Sequence, residues 1–405
     1  MAEQSHRPQA RRAWLGAGAA ALFGFGLAGC ELVPAAPGPV AAVPPPVQAA
    51  EPQPQARPEP AAPQPVQPAL PAAGARHRIA VLVPTSGANA GVGQSIANAA
   101  NLALLDTGGE RIRITVYDTA KGAAAAANQA LADGNRLFLG PLLAEDVRAV
   151  APAARRAGVP VVAFSNDTSV AADGVYLMGF TPASSVARVV DHARAEGVQR
   201  FAAVVPDGVY GRRANAAMIA AVQRSGGIFA GSAPLGRGNV AQRGTAARLA
   251  SFGGYQAVLI ADTGRTAATL APLLRAPGAR ILGTELWAAE EGLGATPALR
   301  GAWYAAAPDA MFNQMRTRYR ARFGGNPYRL ASLGYDAVLM TLRIARDWQP
   351  GRPFPEGELR NRQGFPGLDG PFRFGADGVA ERALEVREVT ATGTIVASPA
   401  PRGFD

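Results

Sequence analysis

The sequence predicts an α/β protein of two doubly wound parallel-sheet lobes, joined by a hinge and separated by an interlobe cleft. Apolar, β-branched runs alternate with segments of helical periodicity through residues 79–196, and a second alternating set follows through 201–306. Such alternation is typical of parallel sheets covered by helices on both faces. Residues 136–167 contain a complete βαβ unit, with strands at 137–139 and 161–164 around a helix at 144–157.

The first lobe follows from the order of these runs. Gly158 ends the helix of the βαβ unit, and Pro160 prevents its continuation. Gly87, Gly91 and Gly93 fit neither the dinucleotide nor the P-loop spacing, so we expect them to form a flexible loop. Strands are predicted at 79–83, 112–117, 137–139, 161–164 and 175–178, with helices at 94–105, 123–131 and 144–157.

The second lobe is predicted in the same way, and the C-terminal segments should pack back onto both lobes. Strands are expected at 201–205, 228–233, 257–261, 280–282 and 303–306, with helices at 184–196, after Tyr210-Gly211, at 241–251 and at 266–274. Two long helices follow at 309–323 and 330–347, and 370–374 is expected to form a hairpin with 383–389. We assign about 77–180 and 308–369 to the first lobe, and about 181–307 and 370–400 to the second.

The N-terminal residues predict export and a tether. Residues 1–30 combine a basic start with an apolar segment at 14–26 that is too short to span a bilayer comfortably. The segment ends in Leu27-Ala28-Gly29-Cys30, which resembles the bacterial lipobox and implies lipidation of Cys30. Residues 31–76 hold 14 of the 34 prolines and predict an extended, disordered tether. Glu31 favours the periplasmic face of the outer membrane, and anchoring in the inner membrane stays open.

Charge and composition exclude several function classes. The formal net charge is +10, but Lys121 is the only lysine and the arginines are scattered without a nucleic-acid-binding motif. We therefore expect no nucleic acid partner, although weak attraction to anionic partners stays open. The mature chain would hold only His77 and His192, far apart, which argues against a metal site or a catalytic triad. We predict a protein that is not an enzyme and has no cofactor.

An ordered set of motifs resembles a known family over about residues 77–390. The motifs are Ile79 to Pro84 before a Ser/Gly loop, Gly140-Pro141, Gly158-Val159-Pro160-Val161, Asp207 to Gly211, Gly334-Tyr335-Asp336-Ala337, and Gly367-Leu368-Asp369-Gly370 to Phe374. Together they resemble the type I periplasmic binding proteins of the leucine/isoleucine/valine-binding class. The resemblance implies a bilobed receptor that closes on a ligand.

The ligand-cleft candidates lie where parallel strands end, because ligands bind at that edge of such sheets. Ser86, Ser165 and Asn166 follow strands, although they could instead cap helices. The resemblance implies a ligand role for Ser165, for Tyr210 and for an acidic residue such as Asp262 or Glu285. Leu142 and Leu143 follow Gly140-Pro141 where amino-acid receptors carry hydroxyl groups.

Two functions remain open at this point. Gly-Pro-Leu-Leu, the run 159–166 and the proline-rich lead resemble the penicillin-binding-protein activators. These outer-membrane lipoproteins stimulate peptidoglycan synthases by protein contact, which implies a synthase as partner. The alternative is the substrate-binding component of an ABC importer for amino acids or a related solute, which implies a permease and a small-molecule ligand.

Overall fold

The structure is a computed structural model that describes residues 76–274 and 278–404. The predicted export signal, Cys30 and all of the predicted tether except its last residue lie outside these residues. Within the described ranges, no helix is long and apolar enough to cross a membrane.

The first lobe is a parallel sheet with helices on both faces. Its strands run in the order β2-β1-β3-β4-β5. Alternate residues of β1 point to opposite faces, so Ile79 and Val81 enter one core cluster while Ala80 and Leu82 enter the other. The elements are β1 (His77–Val83), β2 (Ile112–Asp118), β3 (Leu137–Leu139), β4 (Val161–Ala163), β5 (Val175–Leu177), α1 (Ala90–Asp106), α2 (Ala123–Ala132), α3 (Ala144–Arg156), α8 (Asp309–Phe323) and α9 (Ala331–Ile344).

The second lobe repeats this plan and adds an antiparallel extension. Its elements are α4 (Pro182–Ala195), β6 (Arg200–Val205), α5 (Val209–Arg224), β7 (Ile228–Pro234), α6 (Asn239–Ala250), β8 (Ala257–Ile260), α7 (Gly264–Leu270), β9 (Arg280–Gly283), β10 (Trp303–Ala306), β13 (Glu385–Thr390) and β14 (Gly393–Ser398). The strand order is β14-β13-β10-β9-β8-β6-β7. Strand β13 pairs antiparallel with both β14 and β10, and all other neighbouring strands pair parallel. The predicted fold class is confirmed.

Two helices begin earlier than predicted, for the same physical reason. Gly91 and Gly93 lie inside α1 instead of a flexible loop, and Tyr210 and Gly211 lie inside α5. A Cβ atom on Gly93 would stand 1.9 Å from the carbonyl oxygen of Pro84, and one on Gly211 would stand 1.7 Å from that of Pro206. Each glycine therefore lets the first turn of a helix contact the end of the preceding strand.

The C-terminal hairpin is shorter than predicted. β11 (Phe372–Phe374) pairs with β12 (Ala380–Arg382) around Asp377-Gly378. Residues 383–389 do not complete this hairpin, because β13 instead pairs with the edge of β10. Phe372 and Phe374 pack in the core of the first lobe, although the sequence assigned 370–400 to the second.

A buried ion cluster lies where the chain passes between the lobes. Arg382 donates from Nη2 to the carbonyl of Met178 at 2.9 Å, and its backbone N–H reaches Ser184 Oγ at 3.3 Å. Its Nη1 lies 3.8 Å from Oδ2 of Asp336, and both side chains are almost fully buried. Oδ1 of Asp336 accepts the Leu368 N–H at 2.7 Å. The Gly-Tyr-Asp-Ala and Gly-Leu-Asp-Gly motifs therefore meet at this cluster.

This cluster predicts a dependence of stability on pH. Burial, together with the nearby carboxylate of Asp369, raises the pKa of Asp336 to about 8. The unfolded carboxyl titrates near ~4, so between about pH 4 and about pH 8 the folded state keeps a proton that the unfolded state releases. The contribution of this group to the free energy of unfolding should therefore fall as the pH rises through that window.

Urea denaturation between about pH 5 and about pH 8 would measure this effect. Asp336→Asn keeps the side-chain shape but cannot titrate, so its free energy of unfolding should change less with pH than that of the wild type. Asp347→Asn makes the same substitution at an exposed position and serves as the control. Equal pH profiles for Asp336→Asn and the wild type would contradict the prediction.

Candidate functional site

All eight predicted cleft residues lie at the carboxyl ends of strands, where α/β sheets bind ligands. Three strand ends of the first lobe carry five of them, and three of the second lobe carry the rest. They are Ser86 after β1, Leu142 and Leu143 after β3, Ser165 and Asn166 after β4, Tyr210 after β6, Asp262 after β8 and Glu285 after β9.

Ser86 is engaged by a carboxylate that the sequence prediction missed. Its Oγ donates to Oδ2 of Asp118 at 2.6 Å, and the Thr85 N–H donates to Oδ1 at 2.9 Å. Although partial burial works in the opposite direction, these bonds hold the pKa of Asp118 below its ordinary value. Asp118 ends β2, so its position on a strand end was the signal that could have identified it.

Leu142 and Leu143 give the loop after β3 an apolar character. Leu142 is half-buried and packs against the core around β1 and α1. The carbonyl of Leu143 accepts the N–H of Val147 at 3.0 Å, which opens α3. Neither side chain has a polar group, so this loop could hold a charged ligand only through its backbone.

The loop after β4 is joined directly to the second lobe. Ser165 is buried, and its Oγ accepts the backbone N–H of Asp167 at 3.1 Å. Arg213 of α5 donates from Nη1 to the carbonyl of Asn166 at 2.9 Å and pairs through Nη2 with the carboxylate of Asp167. Arg148 of the first lobe also approaches this carboxylate, at 3.4 Å.

Hydrogen bonds in this loop lower the pKa of Asp167. Hydrogen bonds from Ser169 are the strongest influence, and those from Arg213 add to them, so that despite partial burial the pKa of Asp167 lies far below its ordinary value. The carboxylate is therefore charged at neutral pH, and it forms an ion pair between the lobes. The sequence prediction missed both partners, although Arg213 follows Tyr210 by three residues and so shares its helix face.

The acidic candidate Glu285 is satisfied within its own lobe. Its Oε2 accepts the hydroxyl of Ser185 at the start of α4, and its Oε1 lies 3.0 Å from the hydroxyl of Tyr210. That hydroxyl also lies 2.9 Å from Oγ1 of the buried Thr284. Burial raises the pKa of Glu285, and burial and the Glu285 carboxylate raise that of Tyr210.

Asp262 has a different role from the one expected. Its Oδ1 accepts the N–H of Thr263 and the hydroxyl of Thr266, each at 2.7 Å, at the start of α7. Its carbonyl accepts the indole N–H of Trp287 at 3.0 Å. The structure thus brings Tyr210 and Glu285 together, while Asp262 supports the local turn. No group of three or more potential metal ligands occurs among residues 76–274 and 278–404.

Residues 77–394 match the family model described as periplasmic binding protein. The chain belongs to this family. No curated protein is detectably similar to the chain. A solved structure of a putative branched-chain amino acid ABC transporter from Rhodospirillum rubrum shares 21% identity and a TM-score of 0.68, over 79% of this chain and 99% of that one.

Solved structures described with another role are similarly close in fold. The C-domain of LpoA from Haemophilus influenzae, described as a regulator of PBP1A, shares 19% identity and a TM-score of 0.63, over 79% of this chain and 99% of that one. Full-length LpoA from the same organism has a TM-score of 0.65, but the match covers only 59% of its chain. The suspected family is confirmed, and these similarities show the fold without separating the two functions.

The ion pair between the lobes predicts how Arg213→Ala would behave. Hydrogen bonds to charged groups contribute about 1.5–3 kcal/mol each, so their loss should raise the population of open molecules at least about tenfold. Spin labels on cysteines introduced at Glu145 and Arg243, in a Cys30→Ser background, would report the interlobe distance by electron resonance.

Arg212→Ala removes the adjacent, exposed arginine and is the matched control. It should leave the distance distribution of the wild type unchanged. A distribution in Arg213→Ala that equals that of the control would show that this ion pair does not hold the lobes together.

Proposed function

We propose that the protein is a lipid-anchored periplasmic regulator that activates a penicillin-binding protein by direct contact. The observation that carries the proposal is that Glu285, the acidic residue best placed to hold a ligand's ammonium group, is already bound by Ser185 and Tyr210. A buried carboxylate is costly unless it is hydrogen-bonded, and here two hydroxyl groups of its own lobe supply those bonds. The protein in this proposal is not an enzyme.

The first-lobe side of the cleft supports the same conclusion. A free amino acid brings a carboxylate that needs convergent donors in a dry cleft. Leu142 and Leu143 offer no side-chain donor, and the hydroxyl of Ser86 is directed to Asp118. Ser86, Leu142 and Leu143 therefore offer no free side-chain donor to the carboxylate of an amino acid.

The contact of Arg213 with Asn166 and Asp167 supports a regulator whose lobes meet without a solute. In a solute receptor, the ligand supplies the free energy that favours closure. Here side chains of the protein bridge the lobes, so a partner protein could recognise one defined arrangement of them.

The N-terminal residues give this regulator its location. Lipidation of Cys30 would anchor it on the periplasmic face of the outer membrane. A proline-rich tether of some 45 residues at ~3.1 Å each could extend roughly 100 Å or more towards a synthase. The fold shared with the LpoA C-domain, described as a regulator of PBP1A, is consistent with this role.

The competing function is solute capture for an ABC importer of amino acids. The fold shared with the Rhodospirillum rubrum protein is consistent with it. It requires a small-molecule ligand that stabilises the folded protein, which separates the two functions experimentally.

Thermal unfolding with amino acids and a synthase assay would test the proposal together. When the ligand concentration is ~100 times the Kd, the free energy of unfolding of a receptor rises by about 2.7 kcal/mol, which is enough to raise the Tm by several degrees. We expect no such rise with millimolar leucine, isoleucine or valine. We do expect the full chain to bind a bifunctional penicillin-binding protein of the same genome and to accelerate its glycan polymerisation.

A rise of several degrees with an amino acid, together with no synthase bound, would overturn the proposal in favour of solute capture. Tyr210→Phe provides a control, because it removes one bond to Glu285 without changing the surface charge. In a regulator it should leave synthase binding unchanged, whereas in a receptor it should weaken amino-acid stabilisation.

A further inference from the structure

One helix of the first lobe has a dense positive charge that the cleft does not use. From Ala310 to Tyr335 the sequence holds five arginines and no aspartate or glutamate, and four of the five lie at 316, 318, 320 and 322 on α8. All four are exposed. The remaining arginine, Arg329, packs over Phe312 and pairs with the buried Asp369.

The helix geometry places these arginines along both sides of an uncharged outer face. Phe312, Met315 and Tyr319 form the buried stripe of α8. At 100° per residue, Arg316 and Arg320 lie on one flank of that stripe, and Arg318 and Arg322 lie on the other. The face between the flanks is exposed and is formed by Asn313, Gln314, Thr317 and Ala321.

Internal contacts account for only two of the four arginines. Arg318 pairs with Asp106 at 3.2 Å, and Arg320 donates to Oδ1 of Asn326 at 2.8 and 3.1 Å. Arg316 and Arg322 form no ion pair or side-chain hydrogen bond with any residue that the structure describes. The guanidinium groups of Arg316 and Arg322, on the exposed side of α8, are thus available to a partner outside the chain.

We propose that the outer face of α8 is the docking surface for an acidic surface of the synthase that the protein regulates. This inference rests on the proposed function and adds the contact surface and the chemistry of the partner. Guanidinium groups bind carboxylates through two parallel hydrogen bonds. The two arginines on each flank of α8 therefore suit the aspartate and glutamate side chains of a partner. The amides and hydroxyl between them can donate and accept hydrogen bonds across an interface.

The side chains of α8 favour a protein over a membrane surface. A helix that lies on a membrane inserts bulky apolar residues between its flanking cations. On α8 that position holds Asn313, Gln314 and Thr317, which cannot enter the acyl region. Exposed aromatic rings instead lie at the last residue of the helix, Phe323, and beyond it, at Tyr328. Protein interfaces are enriched in aromatic residues and arginine.

Charge reversal tests this surface in the full chain. Arg316→Glu with Arg322→Glu should weaken binding to the synthase at least about tenfold, since like charges would then face each other. Arg155→Glu with Arg156→Glu changes the net charge equally on α3, which packs on the opposite face of the same sheet, and should change binding less than about twofold. Binding by the wild type should also weaken as salt rises. The Tm of each variant confirms that it is folded.

Each other outcome overturns the inference in a recognisable way. Equal weakening by both pairs would mean that overall charge, not α8, governs binding. Unchanged binding by the α8 variant would remove the docking surface and leave the proposed function standing. The wild type could also bind phosphatidylglycerol vesicles better than phosphatidylcholine vesicles. If only the α8 variant lost this preference, while its binding to the synthase stayed intact, α8 would dock on the membrane and not on the synthase. A wild type that binds no synthase would overturn the proposed function as well.

Discussion

The arrangement of the two lobes depends on a buried arginine at the hinge. Arg382 contacts the carbonyl of Met178, where the chain leaves the first lobe, and it lies beside Asp336 in a region closed to water. A guanidinium group so enclosed is tolerated because the carboxylate of Asp369 offsets its charge, with Asp336 close beside it. The geometry of these charges therefore helps to fix where each lobe begins.

The two lobes share one packing arrangement at the point where a strand is followed by a helix. In both, a glycine in the first turn of a helix contacts the carbonyl of the proline that directly follows the preceding strand. In the second lobe this contact begins α5 early enough to bring Tyr210 and Arg213 onto one helix face. Tyr210 then joins Glu285 within the lobe, while Arg213 reaches Asp167 of the other lobe. The close contact at Gly211 thus contributes both to the hydrogen bond between Tyr210 and Glu285 and to the ion pair between Arg213 and Asp167.

Periodicity and strand-end position predicted the fold class and where the site would lie, because burial imposes those patterns on the sequence. They could not predict partners, because a hydrogen bond such as that between Ser185 and Glu285 joins residues 100 positions apart. Gly91 and Gly93 lie in a helix and not in the predicted loop, because a close backbone approach selects the same residue type as flexibility does. The predicted hairpin is longer than the observed one because the alternation in 385–390 fits any antiparallel partner, and only the open edge of β10 decides between them.

The carboxylates of the cleft and the arginines of α8 differ in whether the protein itself supplies their partners, and this difference bears on function. Within the cleft, Asp118, Asp167 and Glu285 each have donors from the protein itself. On α8, by contrast, Arg316 and Arg322 are exposed, and no described residue pairs with them. A receptor for a charged solute instead needs groups in the cleft that remain free to pair with the solute. Phe312 of α8 also packs beneath Arg329, and Arg329 pairs with Asp369 beside the hinge. A partner bound to α8 would therefore contact a helix that is linked, through Arg329, to the buried charges between the lobes.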